Sequence, residues 1–314
     1  MKHLLKVTDF TSDSIIKILD LSKRFKDQRK KGRRYHNILE GKHVLLYFEK
    51  PSTRTRISLE VAIRELGGNP IVARRDELQL SRGETLHDTA EVLGRYIDGI
   101  AARVYFHKTL EELAKHSSIS VINALSDLFH PLQAIADAFT IREYFGRLKG
   151  IKIVFVGDGG SNVAHSLLLI SAMLGMDITI ACPEKYAPKT FVIEEANALG
   201  EKSGSEIHVM EDPSKAVKNA DVIYTDVFVS MGFEREREER LKVFIPRYQV
   251  TRTLLKKAGK RVVFMHCLPA HRGEEVLAEV IDDPAISLVY EQAENRLHTA
   301  KAVLACLLGD WNGI

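Results

Sequence analysis

The sequence predicts an α/β fold of two doubly wound parallel-sheet lobes joined by interdomain helices. Short apolar runs alternate with helix-period segments, and that alternation implies right-handed βαβ crossovers and parallel sheets. It comes in two sets, the first closing near Asn123 and the second opening at Ile151. A third observation agrees: the unusual polar segments each follow a strand candidate, where open parallel sheets place their ligands.

In the first set, His43–Phe48 (HVLLYF) is an unbroken apolar run and reads as a buried strand. Thr55–Leu66 reads as a helix with Ile57, Val61, Ala62 and Leu66 on one stripe, stopped by Gly67-Gly68. Pro70–Ala73 is a strand candidate, Thr85–Tyr96 a helix, and Gly99–Val104 and Ser120–Asn123 are further strands. Pro131–Phe145 is expected to bridge the lobes as a helix.

In the second set, Ile151–Val156 (IKIVFV) is a strand, followed by a glycine-rich turn and the helix Val163–Leu174. Asp177–Ala181, Glu206–Met210, Asp221–Thr225 and Arg261–Met265 are strands, with helical segments between most of them. Glu291–Leu308 is a long apolar-striped helix suited to pack back on the first lobe. The expected domains are residues 1–135, completed by the C-terminal helix 291–314, and residues 136–290.

Composition narrows the class. The chain has 314 residues, 45% apolar and 28% charged, which is ordinary for a globular protein of about two domains. A formal net charge of +3, with basic and acidic residues interleaved, gives no footprint for nucleic acid. The charged runs Lys23–Arg34 and Glu234–Arg240 read as solvated helix faces. No apolar run approaches the roughly 20 residues of a membrane span, and the N-terminus lacks the pattern of a signal peptide. Cys182, Cys267 and Cys306 are odd in number and far apart, which suits a reducing cytoplasm rather than a disulfide framework. No His and Cys pair has zinc-finger spacing, and neither a metal nor a cofactor is expected.

The segment after the first strand is FEKPSTRTR. Ser52 and Thr53 open a helix, so free backbone N–H groups and the helix dipole favour an anion there. Arg54 and Arg56 add guanidinium groups able to fork onto phosphate oxygens. Two arginines in a first turn oppose the dipole, which counts against a merely capped surface helix. Arg103 lies at the end of the strand GIAARV, a position that suits a functional charge. His130 precedes Pro131 and so sits at a helix mouth. It is either a helix-capping histidine or a donor to a carbonyl oxygen that gains charge in reaction, and Gln133 could read an amide.

Gly157-Asp158-Gly159-Gly160-Ser161-Asn162 lacks dinucleotide spacing and reads as a turn presenting Asn162. Asp226 and Ser230 lie in the loop Asp226–Gly232, which offers a carboxylate for an amine but also fits an ordinary glycine-containing loop. The charged stretch beyond it could act as a mobile lid. Cys267 follows His266, which on a strand points the opposite way, so Cys267 reads as lining a substrate rather than as a nucleophile.

Together, FEKPSTRTR, DLFHPLQ, TDVFVSMG, MHCLPAHRGEEV and ENRLHTAKAVL resemble, in order and separation, the ornithine carbamoyltransferases. The resemblance runs from residue 3 to residue 308. STRTR and HPxQ mark the wider carbamoyltransferases, while SMG and HCLP are specific to the ornithine branch. It implies that Ser52, Thr53, Arg54 and Thr55 hold the phosphate of carbamoyl phosphate. Arg103 bridges phosphate and carbonyl oxygen, His130 and Gln133 bind the carbamoyl group, and Arg296 helps hold carbamoyl phosphate. Gln79 is the residue supplied to a neighbouring subunit. Asn162, Asp226, Ser230 and Met231 bind ornithine, with Cys267 and Leu268 between the substrates. Arg54, Arg103, His130, Asp226 and Cys267 are the implied catalytic set. The 1–135 domain is the carbamoyl phosphate-binding one and 136–290 the ornithine-binding one. The partners implied are the two small-molecule substrates and further copies of the chain, as a homotrimer or an assembly of trimers, in arginine biosynthesis or the arginine deiminase pathway. Ser161 departs from the pattern by replacing the first of two consecutive Asn residues, and Phe228 stands where Trp is frequent.

Competing readings remain at this stage. Aspartate, putrescine or N-acetylornithine could replace ornithine as acceptor, although the SMG loop argues against each. A dehydrogenase using the GDG loop and a non-catalytic binding protein of this fold are the readings from other classes.

Overall fold

A computed structural model of the chain describes residues 2–230 and 232–309. It divides into two compact units, one running up to Phe139 and resuming at Glu294, the other Thr140–Ala293. The chain leaves the first unit within the helix Pro131–Phe145 and re-enters it within the helix Val289–Leu308. The expected boundaries, 135/136 and 290/291, fall in the same two helices.

In the first unit, β1 (His43–Phe48), β2 (Asn69–Arg74), β3 (Gly99–Arg103) and β4 (Ser120–Leu125) form one sheet of order β2-β1-β3-β4. Every pairing is parallel. Leu45, Tyr47, Ile100, Ala102 and Val121 pack with Leu110 and Leu113 of the helix His107–His116, which explains why these strands read as nearly unbroken apolar runs. An N-terminal helix, Ser12–Lys30, opens with Thr11, whose hydroxyl accepts from Ser14 N. Its charged end is not wholly solvated, as the composition had suggested. Lys26 is buried and donates to Asn295 Oδ1 at 2.7 Å.

The helix Arg54–Glu65 bears out Ala62 and Leu66 of the expected stripe, both buried, and corrects it at Ile57. Leu59, Ala62 and Ile63 are buried with Thr55, whereas Ile57 is 56% exposed. The burial face is turned so that Glu65 points inward, where it meets Lys301 Nζ at 3.0 Å and pairs with Arg29. An acidic residue on an inner face defeats a reading based on apolar spacing alone.

In the second unit, β5 (Lys152–Val156), β6 (Asp177–Ala181), β7 (Ile207–Met210), β8 (Val222–Thr225) and β9 (Val263–His266) form an all-parallel sheet of order β7-β6-β5-β8-β9. The helix Asn162–Leu174 is buried continuously from Val163 to Met173, consistent with its apolar sequence on every face. It ends at Gly175 in the left-handed region, φ 74°. The stretch after Gly232 folds as a 3₁₀ turn and the helix Arg237–Phe244. Arg240 within it is buried, which corrects its expected place on a solvated face.

Candidate active site

In each sheet the strand order reverses once, between β1 and β3 in the first and between β5 and β8 in the second. The carboxyl ends of the strands at such a reversal are where open parallel sheets bind ligands. Ser52–Thr55 and Arg103 lie at the first of these places and Asn162 and Asp226 at the second, while His130 follows β4 and Cys267 follows β9.

In the first unit, β1 leads through residues 49–53 into the helix Arg54–Glu65, and β3 ends on buried Arg103. Glu49 N donates to Arg103 O at 2.9 Å, tying the two strand ends together. The register of β3 on β4 shifts between Ala102 and Arg103. Such irregularities re-aim the side chain they carry. Thr53 caps the helix with helical dihedrals and no side-chain hydrogen bond, so its hydroxyl does not occupy the first-turn N–H groups an anion would use. Arg54 is half-buried. Arg56, read from sequence as a second phosphate ligand, is instead exposed, its Nε 3.9 Å from Glu60 one turn along.

Behind this helix start lies a buried polar chain. Arg296 Nη1 donates to Gln133 Oε1 at 2.5 Å and Arg296 Nη2 to Thr55 Oγ1 at 3.1 Å. Gln133 Nε2 donates to Asp137 Oδ1 at 2.8 Å. His130 is 4% exposed and accompanies them. Its pKa lies well below 6.5, first because of burial and then because of the charges of Arg296 and Arg103. A neutral imidazole beside two cations can polarise a carbonyl without carrying charge itself. Its loop is held by Asn123, whose Nδ2 donates to Phe129 O at 3.1 Å and to Leu5 O at 2.8 Å.

In the second unit, the glycine loop follows β5 and the loop starting at Asp226 follows β8. Ser161 is the N-cap of the helix Asn162–Leu174, its hydroxyl accepting from Ala164 N at 3.2 Å. Asn162 is the first helical residue and is half-buried. Gly157 has φ 136°, and a Cβ there would come within 3.2 Å of the Phe228 ring, so glycine lets the two loops meet.

Asp226 is buried, and its carboxyl pKa is raised by burial against the lowering effects of His266, Cys267 and the Val227 N–H. Cys267 Sγ donates to Asp226 Oδ1 at 3.2 Å, and Val227 N to the same oxygen at 2.8 Å. The strand is expected to turn His266 away from Cys267, yet a His266 ring nitrogen lies within 4.8 Å of both Cys267 Sγ and an Asp226 carboxylate oxygen, because Cys267 falls just past the end of β9. His266 Nε2 lies 3.2 Å from Glu275 Oε1 and its Nδ1 accepts from Leu268 N at 2.8 Å. Leu268 has φ 59°, a left-handed conformation costing about 1–2 kcal/mol for an L-residue with a Cβ. The His266 bond holds that turn, which swings the chain off the end of β9.

The structure thus joins Thr55, Gln133 and Arg296 directly, sets His130 in the field of Arg103 and Arg296, and joins Asp226 to Cys267. Ser230 is half-buried in its loop, its carbonyl accepting from Phe233 N at 3.0 Å. Gln79 stands apart, exposed in the 3₁₀ turn Gln79–Arg82. Met231 lies outside the described residues. Sequence reading missed the supporting partners Asp137, Asp158, Arg240, Glu275 and Gln292, the last of which accepts from His266 N through Oε1 at 3.0 Å. Asp137 alone carried a local signal, one helical turn after Gln133.

Asp226, His266 and Cys267 bring one donor atom each within 4.8 Å of one another, a set of ligand types that suits a zinc-like ion. Hydrogen bonds to Val227, Glu275 and Leu268 already account for the orientations of Asp226 and His266.

Comparison with known proteins adds the following. Residues 2–143 match the carbamoyl-P binding domain model of aspartate/ornithine carbamoyltransferase, and residues 149–307 match its Asp/Orn binding domain model. The ornithine carbamoyltransferase of Hyperthermus butylicus is 52% identical over 307 residues, spanning 98% of this chain and 97% of that protein. A Pyrococcus furiosus relative described as ornithine carbamoyltransferase, anabolic, is 53% identical over 308 residues, spanning 98% and 96%. The solved structure of a Pyrococcus furiosus ornithine carbamoyltransferase superposes with a TM-score of 0.94 at 52% identity, covering 100% of this chain and 98% of that one. That from Thermus thermophilus gives 0.86 at 41% identity, covering 98% and 99%.

Proposed function

Because the chain belongs to the aspartate/ornithine carbamoyltransferase family, we propose that it transfers the carbamoyl group of carbamoyl phosphate to the δ-amine of L-ornithine, giving L-citrulline and phosphate. The observation that carries this is the end-to-end match to relatives named for that activity.

In this reading the first half-site serves carbamoyl phosphate. Ser52, Thr53, Arg54 and Thr55 hold its phosphate at the helix start, where N–H groups and a guanidinium favour a dianion. Arg103 reaches phosphate and carbonyl oxygen, neutral His130 donates to that oxygen, and Gln133 and Arg296 fix the carbamoyl end. The second half-site serves ornithine through Asn162, Asp226, Ser230 and Met231, with Cys267 and Leu268 lining the reacting groups. The amine nitrogen attacks the carbonyl carbon, the carbon–oxygen bond to phosphate breaks, and phosphate leaves with the bonding pair. The proton shed by nitrogen can pass to the departing phosphate.

A free alkyl amine has a pKa of roughly 10.4, so the neutral form must be selected or made. The remaining work is orientation and charge stabilisation, which the preorganised Thr55–Arg296–Gln133 chain supports. No metal or redox cofactor enters this chemistry, since phosphate is already a good leaving group. Exposed Gln79 fits service to a neighbouring subunit, and a homotrimer or an assembly of trimers is part of this proposal. Among the described residues no helix is long and apolar enough to cross a membrane, which accords with a cytoplasmic enzyme.

The test is citrulline formation from carbamoyl phosphate with ornithine, aspartate, putrescine and N-acetylornithine in parallel. Product with ornithine alone is expected. Arg54→Ala should lower turnover by several hundredfold, the scale of losing about 3–4 kcal/mol of oxyanion-type stabilisation. Absence of citrulline with ornithine would overturn the proposal.

A further inference from the structure

Resting on the ornithine assignment above, we infer that Arg240 is a positioning residue for the amino-acid substrate: it clamps the glycine loop after β5 to the loop after β8. Its side chain is 6% exposed. Nη1 donates to Asp158 Oδ2 at 2.7 Å and to Phe228 O at 3.2 Å. Asp158 belongs to the first loop and Phe228 to the second, so one guanidinium nitrogen bridges the reversal in strand order. Nε donates to Glu236 Oε2 at 3.0 Å. The guanidinium carbon lies 4.4 Å from the centre of the Phe233 ring and 5.1 Å from that of Tyr186.

Each contact has a consequence for the loops. Asp158 Oδ1 accepts from Gly160 N at 3.0 Å, so fixing its other oxygen fixes the turn that delivers Ser161 and Asn162. Phe228 O lies two residues after Asp226 and two before Ser230. Phe233, whose N–H donates to Ser230 O, is held by its ring. The second loop is therefore gripped on both sides of Ser230. A planar guanidinium can serve a carboxylate, a carbonyl and two ring faces together; an ammonium is a point charge without that shape. Arg240 bonds to neither Asn162 nor Asp226 in any contact described above, so its effect on ornithine runs through loop geometry. Structural support for the unit alone is the competing role, since a buried ion pair with one partner removed destabilises a fold.

The two roles separate by experiment. Arg240→Met keeps the stem and removes the charge and donors. Arg240→Lys keeps the charge, and Asp158→Asn/Arg240→Met removes both members of the pair. For folded Arg240→Met, the KM for ornithine should rise about tenfold or more, the scale of losing a hydrogen bond to a charged group. Affinity for carbamoyl phosphate, measured by calorimetry, should stay within about twofold, a change of less than 0.5 kcal/mol. Arg240→Lys should recover part of the loss and the double variant none. Amide exchange should quicken in residues 226–233 in both Met variants. If Arg240→Met does not fold, the double variant gives the same readings without an unpaired buried carboxylate.

Unchanged KM for ornithine in a folded variant, or equal weakening of both substrates, would overturn the inference. So would full recovery in the double variant. If the wild-type enzyme forms no citrulline, the functional reading fails separately. Amide exchange then still decides whether Arg240 clamps the loops, with unaltered exchange counting against it.

Discussion

Arg296 Nη1 lies 2.5 Å from Gln133 Oε1, although the residues are 163 positions apart in sequence. This bond and the one to Thr55 connect the first turns of the helices Pro131–Phe145 and Arg54–Glu65 within a single unit. Removing the guanidinium takes these hydrogen bonds from a buried amide oxygen and a buried hydroxyl. Arg296→Ala should therefore lower kcat/KM by roughly 10- to 100-fold, corresponding to about 1–3 kcal/mol for a buried polar group left unpaired. Arg296→Lys should recover only part, because one ammonium does not reproduce two forked bonds. Steady-state citrulline assays and carbamoyl phosphate calorimetry would report it.

Cys267 Sγ donates to Asp226 Oδ1 at 3.2 Å, a contact that suits a lining role better than a nucleophilic one. Cys267→Ser keeps a donor at the same place. It should retain turnover within about tenfold of wild type, the scale of one altered hydrogen bond. Mass spectrometry of the wild-type enzyme with carbamoyl phosphate alone should show no covalent adduct on Cys267. A carbamoylated cysteine would restore the nucleophile reading.

Ser161 is explained by its capping bond to Ala164 N. Ser161→Ala should cost about 1 kcal/mol of stability, whereas Ser161→Asn should be nearly neutral, because Asn caps as well as Ser. Denaturant midpoints compare the three proteins. A smaller loss for Ala than for Asn would contradict the capping role.

Five histidines, His3, His36, His107, His130 and His298, have pKa values lowered in the fold, each chiefly by burial. His36 and His298 are lowered to about 4. Below 6.5 the unfolded chain takes up protons on these rings while the folded chain does not. Folding therefore has its full histidine-linked stability above pH 6.5 and loses it as pH falls from 6.5 towards about 4. Asp158 and Asp226, with carboxyl pKa values raised by burial, act in the opposite sense. The five histidines are expected to dominate, so urea midpoints should decline across that window. His36→Gln should flatten the decline; an unchanged slope would argue against its share.

Much of the architecture is legible along the chain. HVLLYF, GIAARV, IKIVFV and DVIYT announce buried strands through short, mostly apolar runs, and β1 and β6 match their expected limits. Gly67, Gly175 and Pro131 mark helix ends for local steric reasons. STRTR is legible as a helix start carrying arginines, because those residues are adjacent in sequence. The stripe was misread at Ile57, and the exposure of Arg56 was not foreseen, because apolar spacing and charge count do not reveal which helix face a distant residue will meet. Lys301, 236 residues away, turns Glu65 inward, and Glu60 one turn along takes Arg56.

Local pattern thus establishes the fold class, the strands and the segments that follow them, since propensity, capping and periodicity act over a few residues. Packing establishes the rest. The orders β2-β1-β3-β4 and β7-β6-β5-β8-β9 place the loops after β1 and β3, and those after β5 and β8, beside each other. No spacing rule encodes those orders, because strand pairing is chosen among long crossovers by the burial of whole sheet faces. The same holds for Arg240. In a run of charges it reads as solvated, and it becomes the link between Asp158 and Phe228 only when the sheet brings residues 82 and 12 positions away to one place.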